Sequence, residues 1–332
     1  MSSRRVGVAV GVLAPVLFVT CGGDQSTLDP AAEASRDVAN LWWAMFAVSA
    51  VVVAVVVMFV VTGSLRAGGD RARRWWLGRG GSRLIVVGGV AVPLAILVVL
   101  FVLTLSTLPS VSAPGRGDGD LVVEVVGRQY WWEVGYPDHG LVTANEIHIP
   151  TGTPVELRVR TADVIHSFWV PRLNRKIDMI PGRTNRILVR AEEPGVYRGQ
   201  CAEFCGLAHA QMAFLVVAEA PSVFEAWLAG ETGDAAAPAS GSAALGQEVF
   251  LNSSCVSCHA IRGTSASATV GPDLTHVAGR RWLAAGTIPN TRGNLGGWIV
   301  DPQSIKPGNK MPPTNLSGPE LQALLDYLES LE

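Results

Sequence analysis

The sequence predicts a multidomain chain: a two-helix transmembrane hairpin, an all-β domain of sandwich or Greek-key type, then a small all-α domain. Three observations predict it. Residues 41–61 and 84–105 are apolar runs without a charged residue, each near the ~20 residues that a helix needs to cross a hydrocarbon core of ~30 Å. Short β-branched runs separated by Pro/Gly turns fill residues 121–217. Beyond a stretch rich in Gly, Ala, Pro and Ser, the apolar spacing becomes helical. The 332 residues leave room for roughly two or three domains. A composition 48% hydrophobic and 16% charged suggests membrane segments. A net charge of −2 offers no global electrostatic case for a nucleic-acid partner.

Residues 1–21 read as a signal peptide. Arg4 and Arg5 form a basic start, and the apolar run 6–19 is too short to span. Cys21, followed by Gly22 and Gly23, stands where a bacterial lipoprotein would be cut and acylated. Phe18-Val19-Thr20 matches that cleavage signal poorly, so lipidation of Cys21 and its removal with the peptide both stay open. Residues 22–110 form the hairpin. Arg66, Arg71, Arg73, Arg74, Arg79 and Arg83 crowd the loop between its helices, with Asp70 the sole acid. The positive-inside rule makes that loop cytoplasmic and puts both flanks on the extracytoplasmic face. Pro93 is expected to kink the second helix. Neither span carries an ionisable residue, which argues against a complete proton path within this chain.

Residues 111–229 form the β domain, entered through a Pro/Gly-rich spacer. The runs 121–126, 142–149, 155–160, 186–190 and 214–217 are the candidate strands, and 155–160 alternates strictly, as a half-buried strand should. Turn signals such as Pro150-Thr151-Gly152 separate them, which argues for an antiparallel sandwich or Greek-key barrel. Residues 230–242 read as a linker with a reach of about 20 Å if flexible, enough to hold the flanking domains at roughly millimolar local concentration. Residues 243–332 form the α domain, with helical periodicity at 243–251 and 319–331 and Ser317 as N-cap of the last helix.

All five cysteines fall where cysteine does chemistry. Cys255, Cys258 and His259 spell C-x-x-C-H, the pattern of covalent haem c attachment, with His259 as proximal ligand. Met311 is the candidate distal ligand, and Met/His ligation favours electron transfer over oxygen chemistry. A zinc site would need two further ligands at tetrahedral spacing. The turn Gly271-Pro272-Asp273-Leu274 is expected to pack against the haem. In the β domain, Cys201, Cys205, His209 and Met212 share one loop, and His166 lies far upstream. Thiolate, imidazole and thioether together suit copper. With one thiolate more than a mononuclear site needs, the economical arrangement is two copper ions bridged by both thiolates, with His166 and His209 terminal. Met212 and a carbonyl near Glu203 would then be weak contacts. A Cys201–Cys205 disulfide is the plainer alternative. His139, His148 and His276 are read as structural or surface residues.

Taken together, His166-Ser167-Phe168-Trp169-Val170-Pro171, the run 176–183 and the run 199–212 resemble subunit II of cytochrome c oxidase, over about residues 28–220. The C-terminal segment resembles class I cytochrome c. The resemblance implies a cupredoxin-like fold and a binuclear CuA centre on His166, Cys201, Glu203 (through its carbonyl), Cys205, His209 and Met212. It also implies a magnesium ion touched by the Glu203 carboxylate at the junction with subunit I. Gln129-Tyr130-Trp131-Trp132 matches the family's electron-entry patch, except that its leading aromatic is usually Trp and here is Tyr130. The implied function is electron entry into a proton-pumping oxidase of the bacterial cell membrane, with both soluble domains outside. Electrons would pass from a cytochrome c or a cytochrome bc complex through haem c and copper to subunit I, with subunit III alongside. The CuA subunit of a nitric oxide reductase and a membrane-anchored copper delivery protein are the alternatives.

Overall fold

The structure is a computed structural model that describes residues 23–65, 79–111, 119–238 and 240–332. The signal segment, Cys21 and the loop residues Arg66, Asp70, Arg71, Arg73 and Arg74 lie outside the described residues. The chain divides into two compact units, one of residues 33–112 and one holding the rest.

The smaller unit holds two helices long and apolar enough to cross a membrane. Helix α1 spans Glu33–Leu65. Its 33 residues rise ~50 Å, more than the ~30 Å hydrocarbon core, so its polar first turns extend past the apolar run. Trp42 and Phe46 stack at 5.3 Å near that boundary, with Trp43 edge-on to both. Such amphipathic rings favour the membrane–water interface. The second span is α2 (Arg79–Val86), a π turn over Val87–Ala91, and α3 (Val92–Val111). The π turn stands just before Pro93, whose ring would clash with the carbonyl four residues back in a regular helix. Widening the preceding turn removes that clash, and the helix continues.

The larger unit begins with a β-sandwich of two five-stranded sheets, ordered β3-β2-β1-β5-β8 and β4-β10-β9-β6-β7. In the first sheet β1 is Leu121–Arg128, β2 Trp131–Tyr136, β3 Leu141–Ala144, β5 Val155–Thr161 and β8 Asn185–Val189. In the second β4 is Glu146–Pro150, β6 His166–Trp169, β7 Ile177–Met179, β9 Gly195–Cys201 and β10 Ala213–Glu219. This is a cupredoxin-like arrangement. It is not wholly antiparallel, because β1 pairs parallel to β5 and β10 parallel to β4. The sheets face one another across a core that includes Trp132, Tyr136, Phe168 and Phe214. Phe214 sits 4.8 Å from Trp132 and 4.6 Å from Phe168, ring centre to ring centre.

Helix α4 (Pro221–Glu231) closes the sandwich by burying Phe224 and Leu228. The stretch read as a flexible linker starts inside this helix and is pinned over residues 231–235. The Ala235 amide donates to Arg262 O at 3.1 Å, the His276 ring meets Gly233 O at 3.2 Å, and Arg262 reaches Glu231 O. A tether held this way has no free reach, so the random-coil estimate does not describe it.

The last domain is built on α5 (Gly241–Asn252) and α8 (Gly318–Leu328). Between them lie a short hairpin, β11 (Trp282–Leu283) and β12 (Ile288–Pro289), then α6 (Arg292–Val300) and α7 (Pro302–Ile305). Ser317 caps α8 as the sequence predicts, and Glu320 completes a reciprocal capping box. The crossing of α5 and α8 depends on Gly246. A Cβ there would lie 1.9 Å from the Ala323 carbonyl oxygen and 2.8 Å from Tyr327. We therefore expect Gly246→Ala to cost about 2–3 kcal/mol of stability, since backbone must move. Gly293→Ala, on α6 with nothing within 4 Å of the added methyl, is expected to gain up to ~1 kcal/mol from helix propensity. Guanidinium unfolding of both variants followed by circular dichroism checks the pair of signs.

Candidate copper and haem centres

Strand β9 ends at Cys201 and β10 begins at Ala213, so the loop of residues 202–212 must turn back within one strand spacing. It is closed at its base by Cys201 N donating to Met212 O at 2.9 Å. Across the sheet β6 runs beside β9, pairing Phe168 with Cys201, which brings His166 to the same edge. Three strands, from two separate stretches of chain, thus meet at one edge.

The geometry has two equivalent halves. The Cys201 and Cys205 sulfurs are 3.8 Å apart. Cys201 Sγ lies 3.7 Å from His166 Nδ1 and 3.2 Å from Glu203 O. Cys205 Sγ lies 3.6 Å from His209 Nδ1 and 3.8 Å from Met212 Sδ. Each sulfur therefore has the other sulfur, one imidazole nitrogen and one weak donor around it. The sulfur separation is far beyond the ~2.05 Å of a disulfide, and both cysteines are free. Among the described residues, His166, Cys201 and Cys205 form a buried group with ligand atoms all within 4.8 Å. A donor set with two central thiols and two flanking imidazoles fits a pair of soft cations that share both sulfurs.

Electrostatics point the same way. The hydrogen bond shared with Cys205, with help from His166, pushes the Cys201 thiol down to about 3. That same bond, with burial, pushes the Cys205 thiol well above the ordinary thiol range. Burial by itself would lower His166, but its contacts with Cys201 and Asp163 outweigh burial and raise it. Asp163 would be raised by burial; hydrogen bonds from His166 and from the Gln129 and Val164 amides hold it below the usual carboxylate range.

Asp163 was not legible as a site residue, yet it orients the first ligand. Its Oδ1 meets His166 Nε2 at 2.8 Å, which turns Nδ1 toward sulfur, a familiar role for a carboxylate behind a metal-binding histidine. Gly127 leaves the space in which the ring lies, since a Cβ there would come within 2.9 Å of His166 Cδ2. Gln129 Nε2 donates to Cys205 O at 2.7 Å, and the Tyr130 hydroxyl accepts from Leu207 N at 3.1 Å. The stretch read as an electron-entry patch is thus hydrogen-bonded to the loop of residues 202–212. Trp132 is fully buried in the sandwich core and presents no docking face; Tyr130 is 9% exposed. Trp131 is half-buried, with the Arg128 guanidinium over its ring at 5.6 Å.

In the helical domain Cys255 lies within a 3-10 turn over Ser254–Ser257 and Cys258 follows it as the C-cap, and His259 N donates to Cys255 O at 3.0 Å. His259 Nδ1 must carry a proton, because it contacts Pro272 O at 2.7 Å and a carbonyl only accepts. Burial holds this histidine below the ordinary imidazole range. A neutral ring with Nδ1 protonated offers Nε2 as a ligand atom, which is what a proximal haem ligand needs. Gly271 leaves room for it: a Cβ there would lie 2.7 Å from His259 Cε1. Met311 lies on another segment, after α7, where its amide donates to Asn309 Oδ1 at 2.8 Å and its carbonyl accepts from Gln303 Nε2 at 2.9 Å. His148 stacks on Trp227 at 4.0 Å and pairs with Glu219, His276 is tied to Glu332 O, and His139 is exposed; none approaches either centre.

Donors that close around a metal from several chain segments suit electron transfer more than substrate turnover, and the class defined here is a membrane-anchored electron carrier with two metal centres. The family model for the cytochrome c oxidase subunit II periplasmic domain matches residues 140–219, and that for cytochrome c matches residues 243–332. Cytochrome c oxidase subunit 2 of Alkalihalophilus pseudofirmus is 38% identical over 257 residues, 76% of this chain and 74% of the relative. That of Bacillus subtilis is 32% identical over 348 residues, 96% of each. The crystal structure of the periplasmic domain of subunit II of cytochrome oxidase from Bradyrhizobium japonicum aligns at 30% identity with 36% of this chain and 96% of its own, at a TM-score of 0.34. The chain belongs to the cytochrome c oxidase subunit 2 family. It is subunit II of a haem–copper oxidase, an oxidoreductase component that associates with subunit I and carries a cytochrome c domain of its own. Membership implies a CuA centre in the β domain, haem in the helical one, and periplasmic domains on a membrane anchor. The alternatives of a nitric oxide reductase subunit and a copper delivery protein are set aside.

The thiol pair carries a direct test. The coupled thiol pair holds a shared proton, and metal binding must displace it. Copper loading of the metal-free chain in weakly buffered indicator at pH 7 is expected to release at least about one proton per copper pair. Loading without proton release would mean that both thiols were already ionised.

Proposed function

We propose that this subunit admits electrons to the oxidase through its own haem c and hands them to a binuclear copper centre, from which they pass to subunit I. The observation that carries this reading is the pair of buried thiols 3.8 Å apart, each with its own imidazole nitrogen. His166, Cys201, Cys205 and His209 are the strong copper ligands in it, with Met212 and the Glu203 carbonyl as weak ones. Cys255 and Cys258 bind haem covalently through thioethers, His259 is the proximal ligand and Met311 the distal one. When bound, the two groups supply one-electron redox centres and no site for substrate.

The protein's own contribution is to hold these donors still. Met212 and His166 are fully buried, and Cys201 and Cys205 nearly so, which keeps water from the sulfurs. The Asp163–His166 contact and the Gln129 brace on Cys205 O fix ligand directions before metal arrives, so little need rearrange when charge changes. Lys176 Nζ lies 3.6 Å from the half-exposed Glu203 carboxylate. That carboxylate is a single hard oxygen ligand facing outward, and it fits a magnesium ion completed by subunit I. Phe204 and Ile165, exposed at the copper end, are apolar surface for the same neighbour. Subunit III completes the assembly, and a cytochrome c or a cytochrome bc complex reduces the haem. The arginine-rich loop is cytoplasmic and both soluble domains face outward from a bacterial cell membrane.

The order of transfer is tested in the assembled oxidase with His209→Ala. The variant is expected to accept electrons into haem c at the normal rate but to leave it reduced under oxygen, with turnover down by about a hundredfold or more. Turnover near the unaltered rate would show that electrons do not need the copper loop.

A further inference from the structure

Lys306 belongs to neither centre, yet it is 2% exposed. It follows α7 in the cytochrome domain, and its Nζ donates to Tyr130 O at 2.7 Å and to Ala284 O at 2.8 Å. The first carbonyl belongs to the β domain, in the stretch that braces the copper loop. The second belongs to the turn between β11 and β12 of the cytochrome domain. Burying an ammonium costs free energy, and burial pushes this one down to about 7; two short hydrogen bonds across a domain boundary offset part of that cost.

Other contacts join the same two surfaces. Gln211 Nε2 donates to Ile305 O at 2.9 Å, and Thr287 Oγ1 donates to Gln211 O at 3.3 Å. The Ala213 amide, at the first residue of β10, donates to Ala285 O at 3.0 Å. Glu146 Oε1 accepts from the Arg281 amide at 2.7 Å and the Trp282 amide at 3.3 Å. Lys310 Nζ stands 3.8 Å from Asp163 Oδ2, behind His166. Gly308, at φ +82°, leaves room for Leu207 of the copper loop, which a Cβ there would meet at 2.8 Å.

The segment bearing Lys306 is itself one hydrogen-bonded piece that ends at Met311. Gln303 Nε2 holds both Asn309 O and Met311 O at 2.9 Å, and Asn309 Nδ2 holds Lys306 O at 2.6 Å. On the other side Tyr130 is bonded to Leu207 and its neighbour Gln129 to Cys205. Lys306 therefore joins the loop of the distal-ligand candidate to the loop of the copper-ligand candidates.

We propose that Lys306 is a positioning residue that locks the cytochrome domain onto the copper loop, so that haem and copper exchange electrons in one fixed, pre-docked geometry. This rests on the ligand assignments under Proposed function. In each transfer one electron leaves the haem iron, ferrous to ferric, and enters the copper pair; no bond is made or broken and no proton moves. A tethered domain that searched for its partner would need none of these buried contacts. The same contacts close the face around Tyr130 to a diffusing donor.

The test uses the whole oxidase with Lys306→Met, which leaves both carbonyls without their donor, and Lys306→Gln, whose shorter amide reaches at most one. The first readout needs no electron transfer: hydrogen exchange of the Ala213 amide, which donates across the junction. It is expected to be protected in the unaltered protein and about tenfold or more less so in Lys306→Met, with Lys306→Gln between. The second is photo-triggered electron transfer from haem c to copper in rising glycerol. The unaltered rate is expected to be independent of viscosity. In Lys306→Met it should fall about tenfold or more and become viscosity-dependent, while the haem spectrum and copper resonance stay unchanged. If Lys306→Met does not assemble, Lys306→Gln carries both readouts. Unaltered protection and rate in the variants, or a viscosity-dependent rate in the unaltered oxidase, would overturn the proposal. Absence of any haem-to-copper transfer in the unaltered protein would instead defeat the order of transfer, and Ala213 protection would still decide the docking.

Discussion

Two sulfurs buried 3.8 Å apart set the terms for the rest of the β domain. Two full negative charges at that distance repel by about 4 kcal/mol even at the effective dielectric typical of proteins. The metal-free protein avoids this by sharing a proton between them, which draws Cys201 down and Cys205 up. Only cations placed between the sulfurs let both ionise together. The flanking imidazoles, the Glu203 carbonyl and Met212 stand where such cations need further donors. The closed donor set, the water exclusion and the rigid loop all follow from keeping that pair together.

Rigidity comes from the sandwich beneath. The loop of residues 202–212 is anchored at both ends in adjacent, hydrogen-bonded strands, β9 and β10, and just past its end Phe214 packs against Trp132 and Phe168. His166 enters from a third strand held by its own ladder bonds to β9. A change of one electron at such a site meets a frame that does not need to move. The cytochrome domain extends the frame, because its contacts run to the same loop and to the strand that follows it.

Much of this was legible in the sequence, and for identifiable reasons. The soft-ligand loop and C-x-x-C-H carry their chemistry in local spacing, so the donor residues stand out. The membrane helices and the Ser317 cap are likewise local, set by an apolar run and by a serine with a glutamate three residues on. Asp163, Gln129 and Lys306 were not legible, because each acts through a partner distant in sequence, and polar residues of these types are common on surfaces. The spacing of Asp163 and His166 was a faint signal that only geometry makes decisive. Trp132 read as part of an aromatic patch, but alternation along β2 turns it inward while Trp131 faces outward. The stretch at residues 230–242 has the composition of a free linker, yet its backbone groups are held by Arg262 and His276 from beyond it. Composition reports what a segment can do alone, and tertiary contacts decide what it does.

The proposed centre is a pair of copper ions in the β domain that share one unpaired electron across Cys201 and Cys205. Electron paramagnetic resonance of the full chain, matured with haem and loaded with copper, tests it most directly. Such a pair is expected to give hyperfine structure from two equivalent copper nuclei beside a low-spin haem signal. Splitting from a single copper nucleus, or a chain that retains no copper, would contradict it.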